Sequence, residues 1–147
     1  MFWKKKKSTT TPRQTLILKA YLGSSMPLLS GKLSSPIARS GLQVFILGMM
    51  DMLRQAESLS LENFITIYEA TLSEYKLLPS IPVKLFIEKV GEIAQNNADV
   101  AKVMRMGAQS IQMYVAEKDA NAPTDILGTV AFAEKNSSSF TELSGIA

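Results

Sequence analysis

The sequence predicts an all-α fold: a single compact bundle of five or six helices preceded by a mobile, basic N-terminal tail. Three observations carry that prediction. Apolar residues recur with a 3.6-residue period in successive segments. Serine, threonine, asparagine or proline stands where most of those segments begin, as helix starts favour. The one run that reads equally well as a buried strand, Leu42–Leu47, has no second run of similar quality to pair with. With 147 residues, 46% of them apolar, the chain is long enough for one domain with its own core.

Residues 1–11 follow neither helical nor strand periodicity and read as a flexible tail, leaving residues 12–135 for the helical domain. Thr11 is placed to cap a first helix with Pro12 in its first turn, and Leu16, Ile17, Ala20 and Tyr21 form its apolar stripe, ending near Gly23. Ser24–Ser34 contains Pro27 and Gly31 and reads as a loop or broken helix. Ser35 and Pro36 then open a second helix to about Gln55. Its apolar residues cover most of the circumference, the pattern of a helix buried inside a bundle. Gly41 and Gly48 lie seven residues apart, on nearly one face, where a neighbouring helix can approach closely.

Ser60 caps a third helix whose stripe is Leu61, Phe64, Ile65, Tyr68, Leu72 and Tyr75. Leu77-Leu78-Pro79-Ser80-Ile81-Pro82 is an apolar turn that packs inward. A fourth helix carries Val83, Phe86, Ile87, Val90, Ile93 and Ala94 and ends near Asn96-Asn97. The fifth, from Ala98 to about Asp119, has the longest clean stripe: Val100, Val103, Met104, Ala108, Ile111, Tyr114 and Val115. Pro123 or Thr124 opens a sixth, through about Glu134, with Ile126, Leu127, Val130 and Phe132. Residues 136–147, with four serines and a glycine, read as a flexible C-terminal tail.

Charge is divided unevenly along this chain. Eight Lys and Arg (Lys4, Lys5, Lys6, Lys7, Arg13, Lys19, Lys32 and Arg39) precede the first carboxylate, Asp51. Residues 51–147 hold all 13 carboxylates against the other eight basic side chains, so a basic leader is followed by an acidic body. Such asymmetry points to a charged surface partner more than to catalysis. The leader is rich in hydroxyls, as transit peptides are, but its Lys run differs from their Arg-rich pattern. The place of a secretory apolar stretch is taken by Ser8-Thr9-Thr10-Thr11-Pro12, and Leu42–Met50 is too short to span a bilayer.

Cysteine and histidine are both absent. Ser-His-Asp and Cys-His catalysis, imidazole metal sites and thiolate metal sites are therefore excluded. Glu62 and Glu69, and Glu88 and Glu92, share helix faces, but those faces are polar and lack the His of di-iron bundles. No phosphate-binding glycine motif occurs. The expectation is a non-enzyme with no cofactor, no metal and no small-molecule substrate. A buried, inward-pointing Lys19 or Glu69 would reopen the catalytic reading.

Met-Phe2-Trp3-Lys4-Lys5-Lys6-Lys7 is the densest local signal. Two aromatics beside four ammonium groups suit an anionic surface, each lysine contributing about 1 kcal/mol near anionic lipid. Phosphate backbones attract the same charges, with strong salt dependence. Val103, Gly107, Ser110 and Met113 fall roughly where a helix-turn-helix places its turn and polar positions. The apolar stripe passes through Gly107 unbroken, however, and favours one continuous helix. Met106 and Met113, seven apart and off that stripe, are expected to be exposed together, and with Leu77, Leu78 and Ile81 of the apolar turn they are the candidate protein contacts.

The functional expectation is a non-catalytic helical interaction protein, an adaptor or subunit of a larger assembly. It is cytoplasmic or membrane-peripheral, binding another protein or itself, with its tail on an anionic membrane surface. The alternative is a nucleic-acid-binding accessory factor that uses the basic N-terminal segment.

Overall fold

The computed structural model describes residues 13–147, and every regular element among them is helical. The helices are α1 (Arg13–Ser25), α2 (Pro36–Glu57), α3 (Leu61–Glu74), α4 (Val83–Gln95), α5 (Ala98–Ala116), α6 (Asp125–Lys135) and α7 (Thr141–Ser144). Short 3-10 turns occupy Met26–Leu29, Ala122–Thr124 and Ser137–Phe140. Thr11, Pro12 and the basic tail lie outside the described residues. The all-helical class holds among the described residues, but they form seven helices where five or six were expected, the additional one being α7.

Local capping chemistry sets most of the starts. Ser35 Oγ accepts from the Ala38 amide at 3.3 Å and Pro36 takes the first position of α2. Ser60 caps α3 through Asn63, and Asn97 caps α5 through Val100 at 3.1 Å. Ends are announced less clearly. Ser58, after α2, and Lys76, after α3, adopt left-handed conformations with φ of 54° and 58°, without the glycine that commonly marks such a stop.

α2 is the central element, with every residue from Ser40 to Met50 buried. Its closest neighbour is α5, and glycine makes the approach possible. A Cβ built on Gly48 would lie 2.0 Å from the Met104 carbonyl oxygen; one on Gly107 would lie 2.1 Å from that of Phe45. Gly41 faces α6 instead, where a Cβ would meet Ala133 Cβ at 2.7 Å. The two α2 glycines therefore admit different neighbours. Gly107 is a packing residue inside the unbroken α5, which disposes of the helix-turn-helix spacing.

Two apolar stripes turn differently from the expectation. In α1 the buried residues are Gln14, Leu18, Tyr21, Leu22 and Ser25, while Leu16 and Ala20 face solvent. The stripe at 18, 21, 22 and 25 buries larger side chains, and the Tyr21 hydroxyl locks it. That hydroxyl lies 2.5 Å from Ser110 Oγ and donates to the Ala122 carbonyl at 3.1 Å. In α3 the buried set is Phe64, Ile67, Tyr68, Thr71 and Leu72, leaving Leu61 exposed.

The C-terminal segment departs most from expectation. Residues 136–147 form a 3-10 turn and α7, and Phe140 and Leu143 are fully buried. Asn97 Nδ2 donates to the Ser139 carbonyl at 2.8 Å and Ser139 Oγ donates to Asp99 at 2.5 Å. Its serines satisfy backbone and side-chain partners while its two large apolar residues complete the core.

Tyr21 and Tyr68 are core tyrosines, the latter donating to the Gln43 carbonyl at 2.7 Å. Burial pushes both phenols up from the ordinary value near 10, at Tyr21 outweighing the Ser110 hydrogen bond that favours ionisation. Above about pH 10 the unfolded chain releases protons that the folded chain retains. Stability is thus fully present below that pH and falls as pH rises, by about 1.4 kcal/mol per unit for each tyrosine. Urea midpoints measured on both sides of about pH 10 should show this decline, and Tyr21→Phe should make it shallower.

Candidate interaction site

Arg39 and Gln43, one turn apart on α2, hold two surface segments side by side. The Arg39 guanidinium donates to the carbonyls of Lys76 at 2.8 Å, Leu78 at 3.4 Å and Ala147 at 3.2 Å. Gln43 Nε2 donates to those of Leu77 at 2.7 Å and Ala147 at 3.3 Å. The Ser80 amide closes the pair on the Ile146 carbonyl at 2.9 Å. These bonds satisfy the backbone of a turn whose prolines deny it regular structure, so its apolar side chains keep a defined presentation.

Leu77 is fully buried there, which removes it from the expected contact residues: it is an anchor of the turn. Leu78 is 42% exposed, Ile81 is half-buried, and Leu85, on the first turns of α4, is 53% exposed. Ile81, Leu85 and Ile146 line a shallow groove of about 370 Å³ whose remaining walls are Glu88, Lys89 and Glu92. Lys89 bridges to Glu142 at 2.9 Å, and that hydrogen bond and charge raise its ammonium above the ordinary lysine value. The groove thus has an apolar floor and a charged rim.

A second groove, of about 220 Å³, runs between the C-terminal ends of α2 and α5. Met52, Leu53 and Ala56 line one side and Ile111, Gln112, Val115 and Ala116 the other. Met113, 39% exposed, stands one turn before Ala116 on α5. Met106 does not join it: its side chain is half-buried against the core, so the expected exposed pair reduces to Met113. A smaller notch of about 170 Å³ lies under exposed Leu61, between Asp51, Arg54 and Met104, with the Arg54 guanidinium 5.6 Å from the centre of the Phe64 ring.

The basic leader is partly consumed by the fold. Arg13 forms an ion pair with Glu57 at the end of α2, and Arg39 is spent on carbonyls. Lys19 and Lys32 are exposed, as are Glu62, Glu69, Glu88 and Glu92. Among the described residues no group of three acidic side chains could hold a metal ion, and no helix is long and apolar enough to cross a membrane. Phe2, Trp3 and Lys4–Lys7 lie outside the described residues.

Sequence reasoning missed Leu85, Ile146, Met52, Ala56 and Ala116. Leu85 carried a usable signal, since it is a large apolar residue off the stripe set by Val83, Phe86 and Val90. Ile146 and the two alanines carried none: their place depends on chain segments distant in sequence. Set against known proteins, the chain matches no family model, no curated protein and no solved structure.

Proposed function

We propose that this chain is a non-catalytic helical interaction protein, an adaptor or a subunit of a larger assembly. The observation that carries this reading is the groove of Ile81, Leu85 and Ile146 beside exposed Leu78, held in place by Arg39 and Gln43. A fold that fixes the backbone behind solvent-facing leucines lets a partner bury them with little ordering cost. The partner is another protein presenting an apolar side chain to the groove and polar groups to Glu88, Lys89 and Glu92. The basic segment Phe2–Lys7 adds attraction to an anionic membrane surface.

Leu78→Ser and Leu85→Ser should preserve the helical circular dichroism spectrum and weaken association with the partner recovered from the native source. An interface anchor is worth about 2 kcal/mol, or roughly 30-fold in Kd. Unaltered association in both variants would remove this face from the reading. Binding through it should vary little with salt. A steep fall in affinity with salt, lost on deleting residues 1–11, would favour the nucleic-acid alternative instead.

A further inference from the structure

The groove between the ends of α2 and α5 is a different surface, and its occupant is argued from where the chain enters the fold. Arg13, the first residue of α1, is tied to Glu57, and Gln14 Nε2 approaches the same carboxylate at 3.4 Å. Glu57 directly follows Ala56 in the groove wall and stands one helical turn after Leu53, another wall residue. The described chain therefore begins beside this groove. The segment from Trp3 to Arg13 can extend about 33 Å, ample to fold back onto it.

We propose that Phe2 and Trp3 of the same chain dock in this groove, inserting an aromatic side chain between α2 and α5. Three features suit that occupant. The walls are almost wholly apolar and the volume, about 220 Å³, is on the scale of one large side chain. Met52 in the wall offers polarizable sulfur, which packs well against aromatic rings. The groove also lies at the C-terminal ends of two helices, whose dipoles place negative potential beside the lysines that follow Trp3. Docking is a property of the isolated chain, so it stands or falls independently of the partner face around Leu85.

Trp3 is the only tryptophan, so its fluorescence reports the contact directly. In the purified full-length protein without lipid or nucleic acid, emission should be blue-shifted and shielded from acrylamide, equally at low and high protein concentration. The double variant Ala56→Lys, Ala116→Lys alters two exposed wall residues with a good helix former. It should leave circular dichroism unchanged, shift emission to that of tryptophan in water and raise the quenching constant several-fold. Val115→Gln, tested alongside, should do the same through a single change in the α5 wall. The proposal is overturned by a water-exposed Trp3 in the unaltered protein, by shielding that survives in folded groove variants, or by shielding that appears only at high concentration. The last result would assign the groove to a second copy.

Discussion

Gly48→Ala should destabilise the protein by about 3 kcal/mol or more, the upper end of what overpacking a core costs. The added methyl would sit 2.0 Å from the Met104 carbonyl oxygen, and a backbone atom in mid-helix cannot rotate aside. Either α5 moves away from α2 along its length or the crossing does not form. Gly107→Ala should behave alike, since its methyl would meet the Phe45 carbonyl at 2.1 Å. Gly91, in α4, has open space around its Cβ position. There alanine should stabilise by about 0.5–1 kcal/mol through helix propensity. Opposite signs for one substitution, read from urea midpoints, separate close packing from propensity; equal signs would refute the α2–α5 contact. Against a typical total of about 5–15 kcal/mol, the Gly48 change is large enough to threaten folding.

Phe140→Ala should cost about 3–5 kcal/mol, the range for emptying a buried phenylalanine site. Its ring is fully buried, and the turn that carries it is pinned through Ser139 to Asn97 and Asp99 at the start of α5. A frayed terminus would place the same substitution within about 0.5 kcal/mol of neutral. The measurement therefore decides whether the last residues belong to the cooperative unit. They also bear on the proposed interaction face, because Ile146 lines its groove and Ala147 receives the Arg39 and Gln43 hydrogen bonds.

Helix starts were legible because capping is local. Ser35-Pro36, Ser60 and Asn97 each act on an amide three residues away, so a short window of sequence contains the whole interaction. The burial of α2 was legible for a related reason: only a central helix can hide apolar side chains all round. Rotation of the outer helices was harder to read. Leu16 and Leu61 are as apolar as the residues that replaced them in the core, and the choice fell to partners far along the chain. For α1 that partner is Ser110, reached through the Tyr21 hydroxyl.

The proposed contact surfaces followed the same division. Met113 stood out as an apolar residue off its stripe, and it is exposed. Met106 carried the same signal yet packs on the core, because one helix period cannot register a neighbour that covers its flank. In the turn after α3, composition announced an apolar segment without saying which leucine is inside. The carbonyls held by Arg39 and Gln43 orient the backbone so that Leu77 enters the core and Leu78 faces out.

By itself the sequence determined the helical class, the placement of six helices, the central position of α2 and the absence of thiol and imidazole chemistry. Each depends on composition or on interactions within a turn or two of helix. Only the tertiary structure decided which faces of α1 and α3 are buried, that the last residues complete the core, and where the grooves lie. Those outcomes rest on contacts between residues 40 to 110 positions apart, such as Ser139 with Asp99 and Arg39 with Ala147. Local periodicity carries no record of such pairings, because their free energy is gained only when distant segments meet.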